Sequence, residues 1–308
     1  MNVFLTGATG YIGSVVAEKL QAAGHTIVGL ARNEATAKKL AKRNIKPFIG
    51  DLQNPEPLID AARQTDGVIH TAFIHNFDDW TGAVQTDCRV IAAFTCALAG
   101  SGKPLIATSD TSVLGDTGAE IADEDYAIAY SAALSAIATN FFLAERAKAE
   151  AAAIHASKQN IRSVVLRLPI YIYGRGGGTS YIPMRVQAAQ ESSVAYYIAP
   201  GEHQVSAVDV DDVAQLYVLA LEKAPAGSIF HAVTESGISE KAIAQAISNV
   251  VGCKIEGISL EQATQKWGRG IAAFFSINNQ TSANKAIQLG WQPQAAMSLL
   301  EDITHYQM

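Results

Sequence analysis

Thr6-Gly7-Ala8-Thr9-Gly10-Tyr11-Ile12-Gly13 decides how this chain folds. The octet follows an apolar run at residues 3–6 that reads as a β-strand, and it opens a helical pattern over 11–23. Gly7, Gly10 and Gly13 permit a tight turn, close approach of backbone to a diphosphate, and close packing of helix on strand. The N–H groups at the helix start, near Tyr11 and Ile12, then face an anion with the helix dipole behind them. Thr9 lies within the same turn. The spacing is GxxGxxG rather than the more general GxGxxG, and the bland alternative is a glycine-rich turn without a ligand. The strand–turn–helix setting favours a nicotinamide dinucleotide.

Working outward, further strands are expected at 26–30, 47–49, 68–71, 105–108 and 163–168, alternating with helices at 34–42, 57–64 and 84–99. Parallel neighbours need crossover connections, so this alternation predicts an α/β fold: a doubly wound parallel (Rossmann) sheet with helices on both faces. An Ala-rich stretch over 127–156, free of Gly and Pro, predicts one long helix. After Gly174-Arg175-Gly176-Gly177-Gly178 the pattern loosens, with helices expected at 211–223, 240–251, 260–267, 283–289 and 297–306. The division is a dinucleotide-binding domain over 1–174 and a smaller α/β substrate lobe over 175–308, with room for part of 205–232 to return to the first.

The 308 residues are 49% hydrophobic and 17% charged, enough apolar material for a sizeable core. A net charge of -6 offers no footprint for nucleic acid. Three cysteines without a CxxC pair suit a reducing compartment, so a cytoplasmic location is expected. Seven scattered histidines form no metal motif, and no metal is expected. The N-terminus runs straight into the glycine turn and lacks the basic start of a signal peptide. Residues 126–144 carry no charge but are mostly Ala, Ser and Thr, which points to a buried or dimer-interface helix rather than a membrane span. Packed with the helix over 88–99, that stretch would form a four-helix bundle in a homodimer.

The end of the second strand bears on cofactor choice. In Val28-Gly29-Leu30-Ala31-Arg32-Asn33 no carboxylate awaits a ribose 2′-hydroxyl. Arg32 suits the 2′-phosphate of NADP, so NADP is expected ahead of NAD; a solvated Arg32, or one stacked on adenine, would tolerate either. Asp51, followed by Leu52, either reaches the adenine amino group or caps the following turn. Thr108, closing the fifth strand, is a further candidate cofactor contact.

Several stretches then share one resemblance. The Thr6–Gly13 octet, Gly50-Asp51-Leu52, Val68-Ile69-His70-Thr71-Ala72-Phe73, Leu166-Arg167-Leu168-Pro169-Ile170-Tyr171-Ile172-Tyr173-Gly174, Val208-Asp209-Val210-Asp211-Asp212-Val213-Ala214 and Leu289-Gly290-Trp291-Gln292-Pro293 occur in family order. Together they resemble the short-chain dehydrogenase/reductase superfamily in its extended or atypical branch, similar to the NAD-dependent epimerases and dehydratases. The resemblance implies that Thr71, Ala72 and Phe73 line the pyrophosphate and nicotinamide ribose, and that Pro169 and Ile170 lie beside the nicotinamide.

It also implies chemistry by a Ser, a Tyr and a Lys, the last two spaced YxxxK. Hydride transfer to a carbonyl makes an alkoxide that needs a proton; a nearby Lys lowers the phenol's pKa, and the Ser steadies the oxygen. Counting back from the Leu166–Gly174 stretch puts the Lys at Lys148 and the Tyr position at Ala144. None of the ten tyrosines has Lys at i+4. The Ser position falls on Asp110, flanked by Ser109 and Thr111. Lys148 is therefore expected either to hold the nicotinamide ribose or to be a solvated helix lysine. Asp110 is either a replacement acid or a turn cap, and Thr111 stands beside it as a second candidate. Tyr126, Tyr130 and Tyr173 are each either a tyrosine reaching in from another element or, more often for such residues, a packing residue. Arg146, about 160° from Lys148 around a helix, is expected to face solvent or a partner.

Two functions of different kind follow. One is a dinucleotide-dependent reductase acting with NADPH on a small carbonyl or enone substrate. The other is a non-catalytic NADP(H)-binding sensor. A nucleotide-sugar epimerase or dehydratase is a third, which the missing Tyr disfavours most.

Overall fold

The computed structural model describes residues 1–76, 78–126, 139–177 and 181–306, with backbone alone for 139–144. Seven strands build one parallel sheet in the order β10-β6-β5-β4-β1-β2-β3. These are β1 (Asn2–Thr6), β2 (Thr26–Ala31), β3 (Lys46–Ile49), β4 (Gly67–His70), β5 (Pro104–Asp110), β6 (Arg162–Leu168) and β10 (Ser228–His231). Phe4 of β1 sits in register with Val28 on one side and Val68 on the other. Central strands such as Asn-Val-Phe-Leu-Thr are buried along almost their whole length, as sheets covered on both faces require. The Rossmann class expected from the alternation is the fold observed.

Helix α1 (Tyr11–Ala22) covers one face, turning Val15, Val16 and Leu20 into a core shared with Leu40 of α2 (Glu34–Ala41) and Tyr217 of α7 (Val210–Lys223). The side chain of Asn33 caps α2 by accepting from the Thr36 N–H at 2.9 Å. The other face carries α3 (Glu56–Arg63), α4 (Trp80–Leu98) and α5 (Thr139–Ala156). The chain returns to this sheet late, through α7 to β10, which pairs with β6.

Two buried ion pairs set the rotation of α5. Glu150 accepts from Arg167 of β6 at 3.0 and 2.6 Å, and Arg146 donates to Asp87 of α4. Arg146 and Glu150, four residues apart, therefore share the inward face. Residues 127–138 of the uncharged stretch, where Tyr130 and most of the expected dimer helix fall, lie outside the described residues.

A second core fills the C-terminal lobe. It joins the three-stranded sheet β11-β9-β7 (Glu235–Ser239, Gln204–Asp209, Tyr171–Tyr173) to the pair β12-β8 (Lys254–Ile258, Val194–Ile198), with α6 (Tyr181–Ser192) and α8 (Glu240–Val251) packed against them. Sequence periodicity found none of β7 to β9, β11 or β12, which are only three to six residues long; β11 and β12 also carry exposed positions. It also missed α6, although Ile182, Val186 and Ala189 recur on one helical face. Pro183 obscures that signal, yet in the first turn its lack of an N–H costs nothing. Among the described residues, no helix is long and apolar enough to cross a membrane.

Candidate active site

A cleft of about 770 Å³ opens where the C-terminal ends of β1 and β4 part. The glycine turn forms its floor. Gly7 has φ +76°, and a Cβ there would stand 2.5 Å from Thr71 Oγ1. A Cβ on Gly13 would stand 2.2 Å from the Gly7 carbonyl oxygen, so α1 rides directly on the turn. Gly10 differs. It is exposed to the cleft, and a Cβ there would meet only the Gly7 oxygen, at 3.3 Å. Gly10 is also the N-cap of α1, with no side-chain cap and no acidic residue in the first turn. The positive helix end is left for a ligand's phosphates.

The structure brings most of the expected cofactor residues to this cleft. Gly7, Thr9, Gly10, Tyr11, Ile12 and Gly13 form its floor. Arg32, Asp51 and Leu52 lie at one end, and Thr71, Ala72 and Phe73 along the wall. Thr108, Pro169 and Ile170 line the far end. Asp51 both lines the cleft and accepts from the Gln53 N–H at 2.9 Å, so its turn-capping role is present. Arg32 is exposed and makes no hydrogen bond or ion pair with the described residues.

Three expectations at the catalytic end need correction. Lys148 does not enter the cleft: its side chain is 63% exposed and pairs with Glu145 on the solvent face. Arg146, expected outside, is the residue turned inward. Thr111 is buried away from the cleft, donating to Asn279 Oδ1 at 2.6 Å. The cause is common to the first two. The buried ion pairs of α5 fix its rotation, and residues two apart on a helix cannot face the same way. We expect Lys148→Ala to leave NADP affinity within about twofold of the parent by calorimetry; a larger loss would return Lys148 to the cofactor.

Beneath the cleft runs a continuous polar chain. Thr6 Oγ1 accepts from the Ala72 N–H at 3.2 Å and lies 2.7 Å from His70 Nδ1. His70 Nε2 lies 2.8 Å from Asp87 Oδ1, and since a carboxylate only accepts, Nε2 carries a proton. Burial pushes the Asp87 carboxyl up, but the Arg146 charge and the His70 hydrogen bond outweigh it, leaving the group below its ordinary range. Arg146 also donates to the Thr108 carbonyl at 2.6 Å, lies 3.4 Å from Asp110 Oδ2, and spreads over the Phe73 ring at 4.6 Å. Asp110 accepts from the Ser112 N–H at 3.1 Å as the cap of a short 3₁₀ turn. The capping role weighed for Asp110 is thus present.

At this end Phe73, Trp80 and Phe274 form an aromatic wall, with ring centroids 5.4 and 6.3 Å apart in edge-on contact. Ser109 also lines the cleft, and its buried Oγ has no hydrogen-bond partner among the described residues. Tyr181, from the lobe, completes the set. Sequence reasoning singled out neither Tyr181 nor Arg146 as a site residue. Tyr181 carries no local signal, because 71 positions separate it from Asp110 and only lobe packing joins them.

A glycine turn at the switch point of a doubly wound parallel sheet defines a Rossmann-type dinucleotide-binding protein. The chain belongs to the NAD dependent epimerase/dehydratase family, whose pattern matches residues 3–232, a family of NAD(P)-dependent oxidoreductases and epimerases. It is 38% identical to an uncharacterized protein of Schizosaccharomyces pombe over 95% of both chains. It is 24% identical to a ketoreductase of Stigmatella aurantiaca acting on a farnesylated dihydroquinoline oxide, over 83% of this chain and 75% of the relative. UDP-glucose 4-epimerase of Thermus thermophilus, solved with NAD, superposes with a TM-score of 0.73 at 18% identity over 99% of this chain and 97% of the epimerase. At that identity the likeness concerns the fold.

Proposed function

We propose that this protein reduces a small carbonyl or enone compound with NADPH. The observation that carries the reading is one continuous cleft, with an uncapped helix N-terminus at its floor and an unpartnered Ser109 hydroxyl beside aromatic walls at its far end. The bound dinucleotide would supply a hydride to the carbonyl carbon. Gly7, Gly10 and the first N–H groups of α1 hold its phosphates, and Arg32 meets a 2′-phosphate. Phe73, Trp80 and Phe274 take the apolar body of the substrate and keep water out. The reaction of the Stigmatella relative, reduction of a ketone on a largely apolar molecule, supports the same reading.

The test is loss of NADPH absorbance with the purified protein and a panel of aldehydes, ketones, quinones and enones. Reduction of none of them would sink the proposal. Arg32→Ala is expected to weaken NADP binding about 10- to 100-fold while leaving NAD unchanged, the loss of one charge-assisted phosphate contact. Equal effects on both dinucleotides in calorimetry would remove the NADP preference.

A second reading, a dinucleotide-binding sensor without turnover, draws on the absent YxxxK tyrosine and the solvent-facing Lys148. It predicts tight NADP binding with no oxidation of NADPH by any member of the panel.

A further inference from the structure

Reduction of a carbonyl leaves an alkoxide, and α5 offers no YxxxK tyrosine to protonate it. The cleft nevertheless holds a phenol. Tyr181 is the first residue of α6, half-buried, with its ring edge-on to Phe275 at 5.7 Å. It lines the same end of the cleft as Ser109, Asp110 and Arg146. The hydroxyl makes no hydrogen bond with the described residues. Three other buried phenols are committed: Tyr217 to Thr108 at 2.5 Å, Tyr173 to the Met297 carbonyl at 2.8 Å, and Tyr171 to Glu240 at 2.9 Å; the buried Tyr306 hydroxyl also lacks a partner among the described residues, but Tyr306 does not line the cleft. Tyr11, on the cleft floor, donates to the Gly174 carbonyl at 2.7 Å. Of the described phenols that line the cleft, Tyr181 alone keeps its O–H for a ligand.

We propose that Tyr181, delivered from the substrate lobe, is the catalytic acid of this protein. The inference rests on the reductase reading above. A bound reduced dinucleotide would supply the hydride for the new C–H bond, the carbonyl π electrons passing to oxygen. The phenol gives its proton to this alkoxide, and the phenolate regains a proton from solvent. In balance, the carbonyl would be reduced to an alcohol at the expense of the hydride donor.

The surroundings of the phenol give the step a direction. Burial pushes the Tyr181 pKa up and the negative charge of Asp110 pushes it further; Asp110 is the charge among the described residues that acts on this group, with Arg146 behind it at 3.4 Å. A phenol so raised still protonates an alkoxide downhill, but it is a poor base for taking a proton from an alcohol. The site is therefore built for reduction. Alcohol oxidation by the wild-type protein should climb about tenfold per pH unit, with no plateau below about pH 10.

The experiment uses the full-length protein, Tyr181→Phe and Asp110→Asn, with NADPH and the best carbonyl of the panel. Tyr181→Phe is expected to lose about 100-fold or more in kcat while its NADP affinity stays within about twofold in calorimetry. It should also lose the pH-dependent rise in oxidation. Asp110→Asn should lower the pH at which the Tyr181 phenol ionises, read from ultraviolet tyrosinate absorbance against Tyr181→Phe, a measurement that needs no substrate. Tyr181→Phe with kcat within about threefold of the parent would overturn the assignment while leaving the reductase reading intact. A Tyr181 titration unmoved in Asp110→Asn would overturn the pairing that directs it. No turnover by the wild-type protein would overturn both the function and the acid.

Discussion

Gly10→Ala is expected to fold as the parent does and to lose about 100-fold in dinucleotide affinity, close to 2.7 kcal/mol. Gly13→Ala, three residues on, is expected to lose about 3 kcal/mol of folding stability. The contrast comes from where each missing methyl would go. At Gly13 it would lie 2.2 Å from the Gly7 oxygen and 2.7 Å from Thr71 Oγ1, so α1 must lift off β1 and β4. At Gly10 the backbone, φ −78° and ψ 173°, suits any residue, and the cleft lies open on that side. A methyl there stands where a pyrophosphate approaches the first N–H groups of α1. Urea denaturation and calorimetric titration of the two variants read the separate effects. Gly10→Ala binding NADP as tightly as the parent would show that the phosphates lie elsewhere.

Arg146→Met should destabilise the protein by about 3–5 kcal/mol. The substitution removes the cation from a buried carboxylate: Asp87 and Arg146 are each only 5% exposed, and Asp87 retains only His70. Adding Asp87→Asn should recover most of the loss, because no uncompensated charge then remains. A single Arg146→Met variant as stable as the parent would mean that Asp87 is solvated or neutral in the fold. The pair also has a pH signature. The Asp87 carboxyl lies below its ordinary value in the folded state, so its contribution is fully present above the unfolded value of about 3.9. That contribution is lost as pH falls towards the folded value. Stability of the wild-type protein should therefore drop below about pH 4 more steeply than that of the double variant.

Parts of the chain differ in how much they declare locally. The turn from Thr6 to Gly13 states its conformation within eight residues, because only glycine tolerates φ +76° beside Thr71 or a helix packed onto the Gly7 carbonyl. The α5 segment states little. Ala-Glu-Arg-Ala-Lys-Ala-Glu puts charged residues on both sides of a helix whose apolar positions are nearly all alanine, so no face stands out as the buried one. Counting along a family pattern then chose Lys148, whereas the buried partners Asp87 and Arg167 turned Arg146 and Glu150 inward. Glu150, four residues after Arg146, was the one available clue that both belong to a single face.

From its sequence alone this protein was determined to be a Rossmann-type nucleotide-binding chain, with a glycine cradle at the first crossover and a basic residue at the end of the second strand. Those features rest on backbone sterics and short-range periodicity, which act within a few residues. Tertiary structure alone decided which face of α5 meets the cleft, that Ser109 Oγ is left unsatisfied, and that Tyr181 arrives opposite Asp110. Each depends on contacts between residues tens of positions apart, and such contacts exist only once the lobe and the sheet have packed.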